Sequence, residues 1–278
     1  MRRLLLVCAL AAAVECGLGG SFPSWAVDFD HSPFDRILRS YVVGGRVDYK
    51  GLQADRAALD VYVASLADVA RSDYDSWDEP ARIAFWINAY NAITLKVILD
   101  HYPITKRNLP VGLAFPVNSI RQIPGQWDKI THQIMGVPMT LNSIEHETLR
   151  KQFKEPGIHM ALVCAAKGCP ILRSEAYSGT RLADQLADQA RSYLATPAGM
   201  EIDRDRKTVK LSSIFSWFGE DFVKAYGVPE KPAGFSGKKA AVLAYVARHV
   251  GPQDQEFLES GDYKLSFLSY DWSLNERE

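Results

Sequence analysis

Two cysteines follow a short apolar run in GIHMALVCAAKGCP, residues 157–170. A thiolate is a nucleophile, so Cys164 is a candidate for acyl transfer, given a base to take its proton, a group to orient that base and donors for the developing oxyanion. His146 is the better base candidate, because it rides a helix directly beside Glu145. His159 is closer in sequence, but residues 160–163 read as a buried strand, and five residues of extended chain span roughly 16 Å, too far for a hydrogen bond. Glu145 or Asn88 is the candidate orienter, and Asn88 and Asn91 are candidate oxyanion donors.

Each of these residues also has a purely structural reading. Cys164 and Cys169 can form a disulfide, the usual fate of a Cys pair in an oxidising compartment, and Cys164 can instead be an inert buried thiol. A metal site built from Cys164, Cys169, His146 and His159 is chemically allowed, but the Cys spacing is longer than usual and oxidation competes. No metal or cofactor is assigned. Asn88 and Asn91 can pair with neighbouring loop backbone and fix the packing. Trp217 and Trp272 read as core residues rather than sugar-binding platforms.

The element that must carry the two Asn is the helix predicted over residues 81–101, opened by Glu79-Pro80 and stopped by Pro103. It is apolar nearly all round, which marks a helix buried inside a domain. Asn88 and Asn91 are three apart and share a face. The helix predicted over residues 144–153 carries His146 and Arg150 four apart, with Asn142 or Ser143 as its cap. Further amphipathic helices are expected over residues 33–41, 52–70, 180–194, 212–226 and 235–250. Strands are expected over 47–49, 117–120, 129–134 and 208–211 and after Lys264. The fold class is α+β, a helix-rich single domain with a small sheet of short strands around a buried central helix.

The first 26 residues set the compartment. Met1-Arg2-Arg3 precedes an apolar run from Leu4 to Leu18, the pattern of a secretory signal. Glu15 interrupts that run, which is also too short for a membrane span. Ser24-Trp25-Ala26 is a small-x-small site, so cleavage after Ala26 is expected, with an earlier site among Gly17 to Gly20 as the alternative. Cys16 follows Glu15, which argues against a lipoprotein. The domain then covers residues 27–278, exported to the periplasm or beyond the cell, with no transmembrane span after cleavage. The whole chain holds 32 basic and 33 acidic residues. Losing Arg2, Arg3 and Glu15 leaves a formal charge of −2, which gives no basic footprint for nucleic acid. Cys8 and Cys16 leave with the signal, so Cys164 and Cys169 are the cysteines of the mature chain.

Four stretches in order, FWINAYNAITL (residues 85–95), IEHETLR (144–150), HMALVCAAKGCP (159–170) and YDWSLN (270–275), resemble the DUF547 family, a domain of unknown function found in exported bacterial proteins and in plant proteins. The resemblance spans residues 34–275 and names no activity. It supports His146, because IEH matches the family pattern. The residue before the second Cys is usually Ser in that pattern, where this chain has Gly168. Plant members can carry Ser at the position of Cys169 while keeping Cys164, so the resemblance implies no fixed disulfide. By analogy the buried helix suggests a papain-like or transglutaminase-like plan, in which a buried Asn also serves the site. There the nucleophilic Cys normally begins the helix, and residues 81–101 contain none.

Two functions are therefore expected. One is an exported, non-catalytic binding or scaffolding domain for an unidentified small molecule or peptide, which the sequence slightly favours. The other is a thiol-dependent hydrolase or acyl transferase with Cys164 as nucleophile and His146 as base.

Overall fold

The computed structural model describes residues 28–105, 111–230 and 232–278. The signal segment assigned to residues 1–26 lies outside them. Among the described residues no helix is long and apolar enough to cross a membrane.

The central helix is Glu79–Leu99. Asp78 caps it by accepting from the Ala81 N–H, and Pro80 occupies its first turn, where a missing N–H costs nothing. Almost every side chain from Ala81 to Leu99 is buried. At about 1.5–3 kcal/mol for each fully buried large aliphatic or aromatic side chain, this helix is the main apolar anchor of the fold. Around it pack the helices Ser32–Tyr41 and Ala57–Ser65 and the short strands Val42–Val43 and Arg46–Val47. Gly44 and Gly45 turn that hairpin with φ of +56° and +78°. A Cβ on Gly45 would stand 2.5 Å from the Ile171 Cβ, so the hairpin needs glycine there for both conformation and space.

A second apolar cluster joins the helices Leu182–Leu194, Gly219–Tyr226 and Gly237–Ala247 to a three-stranded sheet. Its order is Met200–Asp203, Thr208–Leu211, Lys264–Phe267, antiparallel and then parallel. A separate hairpin pairs His132–Ile134 with Val137–Met139. The class is thus helix-rich α+β, with its strands divided among three small sheets rather than gathered into one.

Several local expectations are corrected. Residues 160–163 are not a strand: Pro156–Met160 is a 3₁₀ turn, capped by Glu155 accepting from the Gly157 N–H, and irregular backbone follows. Residues 117–120 lead into the 3₁₀ turn Ile120–Gln122. The span 212–226 is two helices, Ser213–Trp217 and Gly219–Tyr226. Unanticipated helices occupy Arg71–Ser76 and Pro252–Ser260.

The C-terminal segment lies across the cysteine loop and ties it to the hairpin at the N-terminal end. Lys167 and Gly168 donate their N–H groups to the carbonyls of Ser273 (2.7 Å) and Asp271 (2.9 Å), and Asn275 donates back to the Ala165 carbonyl. Val47 donates to the Asn275 carbonyl, and the buried Tyr49 hydroxyl donates to the Asn275 side chain at 2.7 Å. A Cβ at Gly168 would lie 2.8 Å from the Asp271 amide nitrogen, so the close approach of the terminal segment requires glycine there.

Candidate functional site

A cleft of about 190 Å³ opens where the two apolar clusters meet. Tyr90, Leu162 and Cys169 line it from the first cluster, Ile214 and Phe218 from the second. Such junctions are common places for a ligand. Cys164, Glu145 and His146, all nominated from sequence, line this one cleft, and so does His159. The chain between His159 and Cys164 is not extended and both line the cleft, but among the described residues no hydrogen bond joins them, and His159 Nε2 contacts Asp221.

Cys164 is partly exposed to the cleft and Cys169 is buried, and both thiols are free. Their sulfurs are 3.1 Å apart, and the Tyr270 hydroxyl is 3.0 Å from the Cys164 sulfur. The Cys164 N–H donates to the Cys169 sulfur at 3.1 Å. The Cys169 thiol holds the pKa of Cys164 below the ordinary thiol range; burial opposes this, and Tyr270 adds to it. Burial pushes Cys169 far the other way, with the neighbouring Cys164 reinforcing it. Of the two, Cys164 is therefore the sulfur that ionises first. Ala165, the next residue, has φ of +55°, a strained conformation for a residue with a Cβ.

Glu145 and His146 stand on Ser143–Leu149, a stretch wound as a π-helix, with the Arg150 N–H reaching the Glu145 carbonyl. Wide turns of this kind are concentrated at functional sites. The stretch begins with a reciprocal pair in which Thr140 N–H donates to the Ser143 Oγ and Ser143 N–H to the Thr140 Oγ1, so the cap partner is Thr140 rather than an acid downstream. Glu145 is buried, and that burial pushes its carboxyl up to about 7, against the Tyr90 hydroxyl, which acts to lower it.

Both histidines are tied to one carboxylate. Asp221 takes a bond from Arg150 Nη2 at 3.2 Å and contacts Arg150 Nε and His159 Nε2 at 2.5 and 2.9 Å. Burial acts to raise the Asp221 carboxyl, but the bonds from His159 and Arg150 outweigh it and hold the group well below the usual range. Arg150 Nη1 lies 2.9 Å from His146 Nδ1. A guanidinium only donates, so Nδ1 must accept and the proton of neutral His146 sits on Nε2. Burial, with the Arg150 charge, lowers the His146 pKa, which keeps the ring neutral. His146 is therefore arranged as a hydrogen-bond donor, and no hydrogen bond joins it to Cys164 among the described residues.

Asn88 does not line the cleft. Its amide pairs with the backbone of Tyr177, donating at 2.8 Å and accepting at 2.9 Å. Asn91 does the same for Ala161 and Val163, at 3.0 and 2.9 Å. Both amides replace a neighbouring strand for loop backbone, and Asn91 thereby positions the approach to Cys164. The orienting role offered to Asn88 is corrected on that ground, since both ends of its amide are occupied.

Tyr270, Arg121 and Asp221 were not singled out from the sequence. Tyr270 falls in the YDWSLN stretch, but Arg121 and Asp221 carry no local signal, being assembled only by folding. Arg121 follows Ser119, whose Oγ accepts from the Arg121 N–H, and its guanidinium carbon stands 4.4, 5.3 and 5.1 Å from the ring centres of Phe115, Trp127 and Trp272. Among the described residues no group of three or more His, Cys, Asp or Glu is placed to hold a metal ion.

Fold and site together define a helix-rich α+β protein with a two-thiol cleft between two apolar clusters. Residues 74–194 match the family model of DUF547, described as a protein of unknown function. Three of the four stretches noted in the sequence lie inside this match, and YDWSLN lies beyond it. The chain matched no curated protein and no solved structure.

Proposed function

We propose that the cleft is the site of a thiol-dependent hydrolase or acyl transferase of an exported protein, with Cys164 as nucleophile. The observation that carries this reading is an unbridged, partly exposed Cys164 whose sulfur contacts the Cys169 thiol and the Tyr270 hydroxyl inside a cleft shared with Glu145. Glu145 is the proton acceptor in this reading. Its pKa of about 7 suits proton transfer at neutral pH, and its charge is felt at the Cys164 sulfur. His146, with its proton on Nε2, serves as a donor to the developing oxyanion rather than as the base.

The steps balance with water alone. Glu145 takes the thiol proton as the sulfur bonds to the acyl carbon. The bond to the leaving amine or alcohol then breaks, and that group receives the proton from Glu145. Water, or an acceptor amine or alcohol, next cleaves the thioester and restores the thiol. A scaffolding role would use the same packing but has no need of a free thiol open to the cleft that Glu145 also lines.

The test is to incubate the reduced protein with p-nitrophenyl acetate and locate the acyl group by mass spectrometry. Acylation at Cys164, absent in Cys164→Ser and slowed at least about tenfold in Glu145→Gln, is the expected result. Failure to acylate, together with alkylation of Cys164 by iodoacetamide no faster than that of an ordinary thiol, would return the protein to the binding class.

A further inference from the structure

The aromatic enclosure of Arg121 has no part in the proton transfers just described. The guanidinium lies over Phe115, Trp127 and Trp272 with its carbon 4.4–5.3 Å from their centres, and it lines the same cleft as Cys164. Among the described residues no ion pair or hydrogen bond joins its side chain to a carboxylate. This is unusual for a partly buried arginine, whose fork of five donors fits a carboxylate in bidentate fashion. The other nearby guanidinium, Arg150, is matched by Asp221. Glu145 is the sole acidic residue lining the cleft, and its carboxyl lies near Tyr90, not in an ion pair with Arg121. Three rings set at steep angles to one another surround the Arg121 guanidinium, and none of them is a carboxylate that would take its N–H donors.

The surface beside it is apolar. Trp217, 49% exposed, stacks on Trp272 at 6.2 Å and 19° and leans on Tyr270 at 5.0 Å. An exposed indole packed in this way offers a flat platform to a ligand's apolar part.

We propose that Arg121 is the anion receptor of this cleft, and that the acyl compound presented to Cys164 carries a carboxylate beside an apolar or aromatic body. The acyl part rests on the reading of Cys164 as nucleophile; the anion site rests on the geometry of Arg121 alone. The probes are phenylacetate and its neutral counterpart phenylacetamide, titrated against the tryptophan fluorescence of the full reduced protein, since Trp127 and Trp272 flank the guanidinium. Phenylacetate binds at least about tenfold tighter in the wild type, the size of a charge-assisted bidentate contact. The preference drops to within about twofold in Arg121→Met and is partly kept in Arg121→Lys, which supplies a point charge without the fork. Equal binding of the two probes by the wild type, or an unchanged preference in Arg121→Met, overturns the proposal.

A second arm alkylates Cys164 with iodoacetate and iodoacetamide. Arg121→Met is expected to slow iodoacetate selectively. If it slows both reagents alike, Arg121 serves the thiol rather than a ligand, and the anion site is refuted. If Cys164 reacts with neither reagent while phenylacetate is still preferred, the nucleophile reading falls and the anion site stands.

Discussion

Glu145→Gln should make the protein more stable and less reactive. Glu145 is buried, and folding raises its carboxyl from the ordinary 4.5 to about 7. The folded-state pKa is raised, so the group favours the folded state below the unfolded value, and that advantage is lost as pH rises through 7. At about 1.36 kcal/mol per pKa unit, keeping Glu145 ionised in the folded chain costs about 3 kcal/mol above pH 8. Near pH 5 the cost is about 1 kcal/mol or less, because the folded group is still protonated. Gln keeps the size and carries no charge, so urea denaturation should show Glu145→Gln about 3 kcal/mol more stable than wild type at pH 8.5 and nearly equal to it at pH 5. Taking the difference between the two proteins at each pH cancels every other titrating group. An increment that is the same at both pH values would show that Glu145 buries no charge and would remove the argument for it as a base. A pH-dependent gain with unchanged Cys164 acylation would leave the buried charge but reassign the proton transfer.

Two more outcomes separate structure from chemistry. Asn88→Ala strands a buried backbone N–H and C=O of Tyr177, so urea unfolding should show a loss of about 2–4 kcal/mol, with Cys164 alkylation unchanged in the folded fraction; Asn91→Ala should lose a similar amount and also slow alkylation, because it frees the chain entering Cys164. Equal effects of the two variants on alkylation would contradict this division. With the sulfurs 3.1 Å apart, oxidised glutathione should bridge Cys164 to Cys169, blocking iodoacetamide until dithiothreitol is added; Cys169→Ser should stay reactive or carry a removable glutathione, and failure of the wild type to bridge under the same treatment would refute the pairing.

The parts of this fold that were legible in the sequence are those whose signal is local. The central helix showed itself through an apolar run bounded by two prolines, and the cap at Asp78 shifted its start by only two residues. The gathering of Cys164, Glu145 and His146 was suggested by the order of motifs rather than by any spacing. What escaped was set by tertiary partners. Residues 160–163 have the composition of a strand, yet the Ala161 carbonyl and the Val163 N–H pair with the Asn91 side chain while the Ala161 and Leu162 N–H groups turn back to the Ile158 carbonyl, so no sheet forms and His159 comes into the cleft. Asp221 binds Arg150 and His159 across 71 and 62 residues, a separation at which no periodicity carries information. The helix placement of His146 was readable, but the direction of its proton depends on Arg150 one turn away, and Arg150 is held by that same distant Asp221.

The course of the C-terminal segment indicates how the cleft is kept in register. Cys164 sits at a strained turn beside Ala165, and such a turn persists only if its surroundings over-determine it. Two donors of the loop, at Lys167 and Gly168, bind the terminal segment, the Asn275 N–H returns to Ala165, and Tyr270 on the same segment reaches the Cys164 sulfur. The segment is itself anchored away from the cleft, where Tyr49 and Val47 hold Asn275. The loop, the Tyr270 hydroxyl at the thiol and Trp272 against Arg121 are thus placed by one stretch of chain. A disturbance at the Asn275 anchor would reach the thiol and the anion receptor together, whereas a disturbance at Asn88 would reach neither.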